Sequence, residues 1–257
     1  MIYLKYIIIY IIIIVFYIII DNINKKECIK YEENTRKNLL YNNIPKYVIP
    51  YVSETNNYFP NNIHDLFVKN HQPIIIRNGI KNYFPKLKYW NNEYLKKIHD
   101  TYVNVRYSNN DIYHFVPKFT KYKKEKFGDI INKENVYSAE NVVPDILINE
   151  LEYNNNLNKI LKNINMINLN RPPTMWKNFK SKVINPLHYD PYNNMFLMID
   201  GSKKFILYSP FDRPFLYPEK ENGWNEYADI NIHKKDIKKP CFKYAKKIEI
   251  TINKGDI

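Results

Sequence analysis

The chain has 257 residues, a mass of 31.2 kDa and a formal charge of +13. That length buries a sizeable core and excludes disorder along the whole chain. Its two cysteines, Cys28 and Cys241, exclude a multi-disulfide scaffold and a Cys-based zinc site; they read as free thiols, with a single pairing open only in an oxidising compartment. Ile, Asn, Lys and Tyr make up 135 of the residues, a bias toward A/T-rich codons that weakens any functional reading of the charge. The 34 Lys and five Arg are scattered, so nucleic acid or anionic lipid is permitted as a partner but not favoured.

The first element is apolar. Tyr6 to Ile20 carries no charge over 15 residues, follows Lys5 and precedes Asp21. Such a run suits the core of a signal peptide; with Ile2 to Leu4 and a snorkelling Lys5 it approaches the ~20 residues that span a bilayer. No small-residue cleavage site follows Ile20, so the reading leans to an uncleaved membrane anchor over residues 1–20, delivered by the endoplasmic reticulum route, ahead of a cleaved signal. Lys25, Lys26, Lys30, Arg36 and Lys37 follow the run and only Lys5 precedes it. The positive-inside rule would then keep the rest cytosolic, whereas a signal peptide would export it. The side of the membrane stays open.

Residues 21–43 are polar and Asn/Lys-rich, which predicts a linker, and residues 44–257 form the folded part. Within it the apolar spacing predicts helices over Ile63–Asn70, Asn92–Ile98 (begun by Asn91), Lys123–Asn132 and Pro144–Asn163, the last broken at an Asn run. Strands are predicted at Pro73–Arg77, Thr101–Tyr107, Asn135–Ser138, Lys182–Asp190, Met195–Ile199, Lys203–Tyr208 and Lys246–Ile252. Helices dominate the first half and strands the second, which predicts an α+β fold, mainly β, with a helical N-terminal cover.

The informative run is Asn185-Pro-Leu-His188-Tyr-Asp190-Pro-Tyr-Asn-Asn194, followed by Asp200-Gly201-Ser-Lys203. On a strand His188 and Asp190 face the same way, so an imidazole nitrogen and a carboxylate meet at one point. They are two of the three ligands of a facial-triad iron(II) site. By itself the pair is weak, since a His-x-acid triplet arises by chance about 0.6 times in a chain of this composition. Asp200-Gly201 between apolar runs signals a tight hairpin, with the strand after it returning beside the strand before it. Lys203, at the start of that returning strand, is either solvated or a buried cation that needs an anion.

With these residues the chain resembles the small Jumonji-C (cupin-like) oxygenases that use iron(II) and 2-oxoglutarate, over roughly residues 45–257. Further matches are Ile49-Pro50-Tyr51-Val52, Gln72-Pro73 through Arg77-Asn78, and Ser209-Pro-Phe-Asp-Arg213-Pro-Phe; together these most resemble the small lysyl hydroxylase branch. The resemblance implies that His188 and Asp190 bind iron(II) and that Lys203, 15 residues after the histidine, anchors the distal carboxylate of 2-oxoglutarate. It implies that Tyr137 shares that carboxylate and that Asn194 stands on the family's asparagine. Trp176 matches a family tryptophan. Asn185 stands where the family has Thr or Ser as another cosubstrate contact and retains a hydrogen-bond donor.

The resemblance also implies a double-stranded β-helix (jelly roll). Its third iron ligand, a histidine, would fall about nine residues past residue 257, so the chain is expected to lack the last barrel strands and to be inactive alone. His233, in a Lys-rich stretch, is a poor substitute. The function implied is hydroxylation of a protein side chain, of lysyl type by its nearest branch, with a protein substrate and with the membrane contacted through residues 6–20. A cupin-like binding protein without turnover and an RNA-associated hydroxylase or binder are the alternatives, and a homodimer is left open.

Overall fold

The computed structural model describes residues 2–35, 52–70, 72–108, 121–150, 155, 160, 172–179, 182–190, 193–221, 225–228, 230, 232 and 239–257. It begins with a long helix, α1 (Ile2–Thr35). The predicted linker is therefore helical as far as Thr35, and the remainder of it lies outside the described residues. Short elements follow: β1 (Ser53–Asn56), β2 (Ile74–Arg77), α2 (Ile80–Tyr83), β3 (Tyr102–Tyr107), β4 (Lys121–Lys126), α3 (Phe127–Ile130), β5 (Val136–Val142) and α4 (Asp145–Glu150). The second half contains β6 (Thr174–Asn178), β7 (His188–Tyr189), β8 (Ser202–Tyr208), β9 (Pro218–Glu221), β10 (Asn225–Ala228) and β11 (Lys247–Asn253). The fold is α+β with antiparallel sheets predominating, as a jelly roll requires.

The largest sheet has the order β4-β3-β5-β6, all antiparallel. Val103 and Val105 of β3 and Val136 of β5 turn into the core, where they meet Phe127, Ile130, Leu147 and Phe84, each 2% exposed or less. Fully burying side chains of this size contributes about 1.5–3 kcal/mol each. A second sheet has the order β7-β10-β9, and β8 pairs with β11. The short parallel pair β1-β2 is joined to the rest through Ile76, which exchanges both backbone hydrogen bonds with Ile257 (2.8 and 3.1 Å).

An ion network fastens that junction. Arg77 donates to Asp256 Oδ2 at 2.7 Å, to Glu54 Oε1 at 2.6 Å and to the carbonyl of Thr251 at 2.9 Å. Asp256, 3% exposed, also accepts from the backbone N–H groups of Asn78 and Asn253. The turn before it places Gly255 at φ +98°, a conformation that favours glycine.

Several expectations are corrected. Lys123–Asn132 was predicted helical, yet the basic run Lys121–Lys126 is an edge strand paired with β3, and only Phe127–Ile130 is helical. Its lysines suit an edge, where charge opposes further strand addition. Asp200-Gly201 does not close a tight hairpin: β8 pairs with β11, Ile252 opposite Lys203, and Met198 bonds instead to Gly255 and Asp256. A long-range partner has displaced the local one. In Lys182–Asp190 only His188–Tyr189 forms a strand apart from a single bridge at Ile184. Ile63–Asn70 contracts to a π-helical turn at His64–Val68, and Asn92–Ile98 to a 3-10 turn at Tyr94–Ile98 started by the Asn91 side chain. Most of Pro144–Asn163 beyond Glu150 lies outside the described residues.

The cysteines are not free thiols. Cys28 and Cys241 form a disulfide, with Cα atoms 5.9 Å apart and a sequence separation of 213 residues. They meet because the polar half of α1 packs on the 3-10 turns Pro210–Phe215 and Pro240–Tyr244.

Candidate functional site

β7 and the extended segment before it carry the first group of candidate residues. His188 Nδ1 lies 2.7 Å from the carbonyl oxygen of Pro186, to which it donates. With its proton there, the ring presents the Nε2 lone pair to Asp190, whose Oδ2 is 3.7 Å away. Two lone-pair donors so placed are stabilised by a cation between them, and the separation lies within reach of one metal ion with bonds of about 2.0–2.2 Å. The backbone carbonyl fixing the far ring nitrogen is the outer partner that metal-binding histidines use. Asn194 donates to the same Asp190 oxygen at 3.4 Å. Tyr227 of β10 stands opposite His188 in the sheet, with ring centres 5.9 Å apart.

The second group gathers around Trp176 of β6. The Tyr137 ring lies 5.8 Å from the Trp176 ring, and the Lys203 ammonium 5.7 Å from it. Lys203 Nζ is also 4.7 Å from the centre of the Phe196 ring and 5.4 Å from that of Phe205, so three aromatic rings surround it. Burial lowers its pKa, and no acidic side chain among the described residues is paired with it. Tyr137 is 4% exposed. Burial pushes its phenol up to about 12, against the Asn185 hydrogen bond, which favours the ionised form. The phenol is therefore a neutral donor throughout the physiological range. Among the described residues Asn185 Oδ1, a buried acceptor, has no hydrogen-bond partner.

The structure thus brings Lys203, Tyr137 and Asn185 into one cluster through Trp176, and His188, Asp190 and Asn194 into another. The chain from Asn185 to His188 connects the two. Alternation along β8 turns Lys203 inward and leaves Lys204 outside, where it pairs with Glu249 at 2.7 Å. Sequence reasoning missed Tyr227, Phe196 and Phe205. Phe205 was within reach, since it lies two residues from Lys203 on the same strand face, but the pairing that brings Tyr227 to His188 spans 39 residues. Among the described residues no set of three His, Cys, Asp or Glu side chains is grouped for a metal. His233 lies outside the described residues.

Comparison with known proteins matches residues 60–257 to the family described as "Cupin-like domain". JmjC domain-containing protein E of Dictyostelium discoideum is 30% identical over 179 residues, covering 59% of this chain and 50% of that protein. Human HSPB1-associated protein 1 is 32% identical over 76 residues, 28% of this chain and 16% of that protein. Human tRNA wybutosine-synthesizing protein 5 is 31% identical over 71 residues, 27% of this chain and 21% of that protein. The match spans half the length of the first relative and about a fifth or less of the other two.

Proposed function

This chain belongs to the cupin-like (Jumonji-C) domain family, and we propose that it carries the iron(II) and 2-oxoglutarate site of an oxygenase that hydroxylates a protein side chain, lysyl by its nearest resemblance. The observation that carries this reading is Lys203: an ammonium held among three aromatic rings, with its charge unmatched by any acid of the described residues. A cation so placed is costly unless an anion joins it. The distal carboxylate of 2-oxoglutarate is such an anion and the neutral Tyr137 hydroxyl donates to it, held in place by the hydrogen bond its oxygen accepts from the Asn185 amide.

His188 and Asp190 hold the metal, with the Pro186 carbonyl fixing the ring and Asn194 fixing the carboxylate. When bound, iron(II) with 2-oxoglutarate supplies the oxidative chemistry of hydroxylation, and the protein contributes binding and orientation. Trp176, Phe196 and Phe205 exclude water from the Lys203 ammonium, which strengthens its attraction for a carboxylate. The apolar length of α1 is proposed to seat the protein in a membrane.

Release of succinate from 2-oxoglutarate in the presence of iron(II) tests this function in the natural full-length protein. The expected result is turnover that His188→Ala and Asp190→Ala abolish; turnover untouched by either substitution overturns the assignment. The second reading is a family member that binds but does not turn over. It is recognised by 2-oxoglutarate binding without succinate release.

A further inference from the structure

Helix α1 is two things in succession. From Tyr6 to Ile20 every large apolar side chain is 41–69% exposed, and none of the described residues buries it. The helix is long and apolar enough to cross a membrane, and its 19 residues ahead of Asp21, Ile2–Ile20, rise ~28 Å, close to the thickness of a bilayer's hydrocarbon core. Beyond Ile20 the same helix is locked to the domain. The Asp21 carboxylate accepts from Lys243 Nζ at 2.6 Å and from the Tyr244 hydroxyl at 2.8 Å. The Lys25 ammonium lies 5.8 Å from the centre of the Phe215 ring. Cys28, two turns of helix past Asp21, is bonded to Cys241.

The first charge after the apolar run therefore coincides with the first contact to the domain, which marks where the helix leaves the bilayer. The disulfide identifies the side. A bond joining residues 213 apart in sequence persists where thiols are oxidised and is reduced in the cytosol. The basic residues after the apolar run argue the other way by the positive-inside rule, but Lys25 is engaged with the domain, and the disulfide reports the compartment that the domain has reached. We infer that the domain sits on the oxidising face of the membrane, stapled to its own membrane helix through Cys28–Cys241 and Asp21–Lys243–Tyr244. The polypeptide it acts on is then a secreted protein or the exposed part of a membrane protein in that compartment. That substrate class rests on the hydroxylase reading; the location does not.

The test uses the full chain expressed in eukaryotic cells and recovered in sealed endoplasmic reticulum membranes, and needs no turnover. Solubilised under denaturing conditions with a polyethylene-glycol maleimide, the two cysteines are expected to resist alkylation until a reductant is added. Glu93→Thr, at an exposed pair with Lys96, creates an Asn-x-Thr acceptor triplet that begins at Asn91 and reports location independently, because N-glycans are added only on the lumenal side. The expected result is a glycosidase-sensitive gain in mass on that variant. Immediate alkylation of both cysteines, or a Glu93→Thr chain left unmodified while a co-expressed lumenal reporter is glycosylated, overturns the inference. A soluble glycosylated product starting near residue 21 overturns the membrane staple. Loss of succinate release with lumenal location intact would count against the oxygenase reading alone.

Discussion

The Lys203 ammonium lies 4.7 Å from the centre of the Phe196 ring, the shortest of its three aromatic contacts and the most direct sign that this lysine has left water. Burial holds its pKa below the ordinary value of 10.5. The free protein therefore loses this proton at lower pH than an exposed lysine, and a bound carboxylate favours the protonated form. The affinity for 2-oxoglutarate is expected to be steady near neutrality and to fall as the pH rises through the free-state value. Calorimetric titrations from about pH 7 to about pH 10 check this; a constant affinity across that window would show that the lysine does not touch the ligand.

Tyr137→Phe removes the hydroxyl to which Asn185 is bonded and leaves the ring against Trp176. The expected loss is about 1 kcal/mol in stability, with a weaker affinity for 2-oxoglutarate and unchanged metal binding. Chemical denaturation and ligand titration on the same sample separate the effects. A large stability loss with intact ligand affinity would make Tyr137 a packing residue.

Asp256 supplies a pH dependence of opposite origin. Burial raises its carboxyl, but the N–H groups of Asn253 and Asn78 and the Arg77 guanidinium outweigh burial and hold it below its ordinary value of 3.8. A carboxylate with a depressed folded-state pKa contributes stability that is fully present above its unfolded value and is lost as the pH falls through the lower folded one. Asp256→Asn is expected to be less stable near neutrality and to show a shallower loss of stability as the pH falls below about 4. Parallel acid-unfolding curves for the two proteins would remove this carboxylate from the account.

The Cys28–Cys241 bond closes a long loop, and Cys28→Ser is expected to cost about 2–4 kcal/mol. Denaturant unfolding in detergent, with and without reductant, is the check. Reductant should lower the stability of the natural protein to that of the variant and leave the variant unchanged.

Period-two alternation made the inward side of β8 legible in the sequence: Lys203 faces in and Lys204 out because neighbouring strand residues point to opposite faces. The same rule placed His188 and Asp190 side by side. Features that depend on distant partners were not legible. Asp200-Gly201 has the chemistry of a tight hairpin, yet β11, some 45 residues on, takes the place beside β8. Lys121–Lys126 lacks the β-branched residues that signal a strand and is one because β3 offers an open edge. The disulfide was hidden for the same reason: composition gives the number of cysteines, and only the docking of α1 brings them together.

The central claim is that Lys203 binds the cosubstrate. The measurement that tests it most directly is the dissociation constant of 2-oxoglutarate, in the presence of iron(II) and without oxygen, for Lys203→Ala and Lys204→Ala beside the natural protein. Removing one partner of a desolvated charge pair costs ~3–5 kcal/mol, so Lys203→Ala should weaken binding by about a hundredfold or more. Lys204→Ala, which breaks only an exposed pair with Glu249, should leave it unchanged. Equal and small effects from the two substitutions would contradict the account.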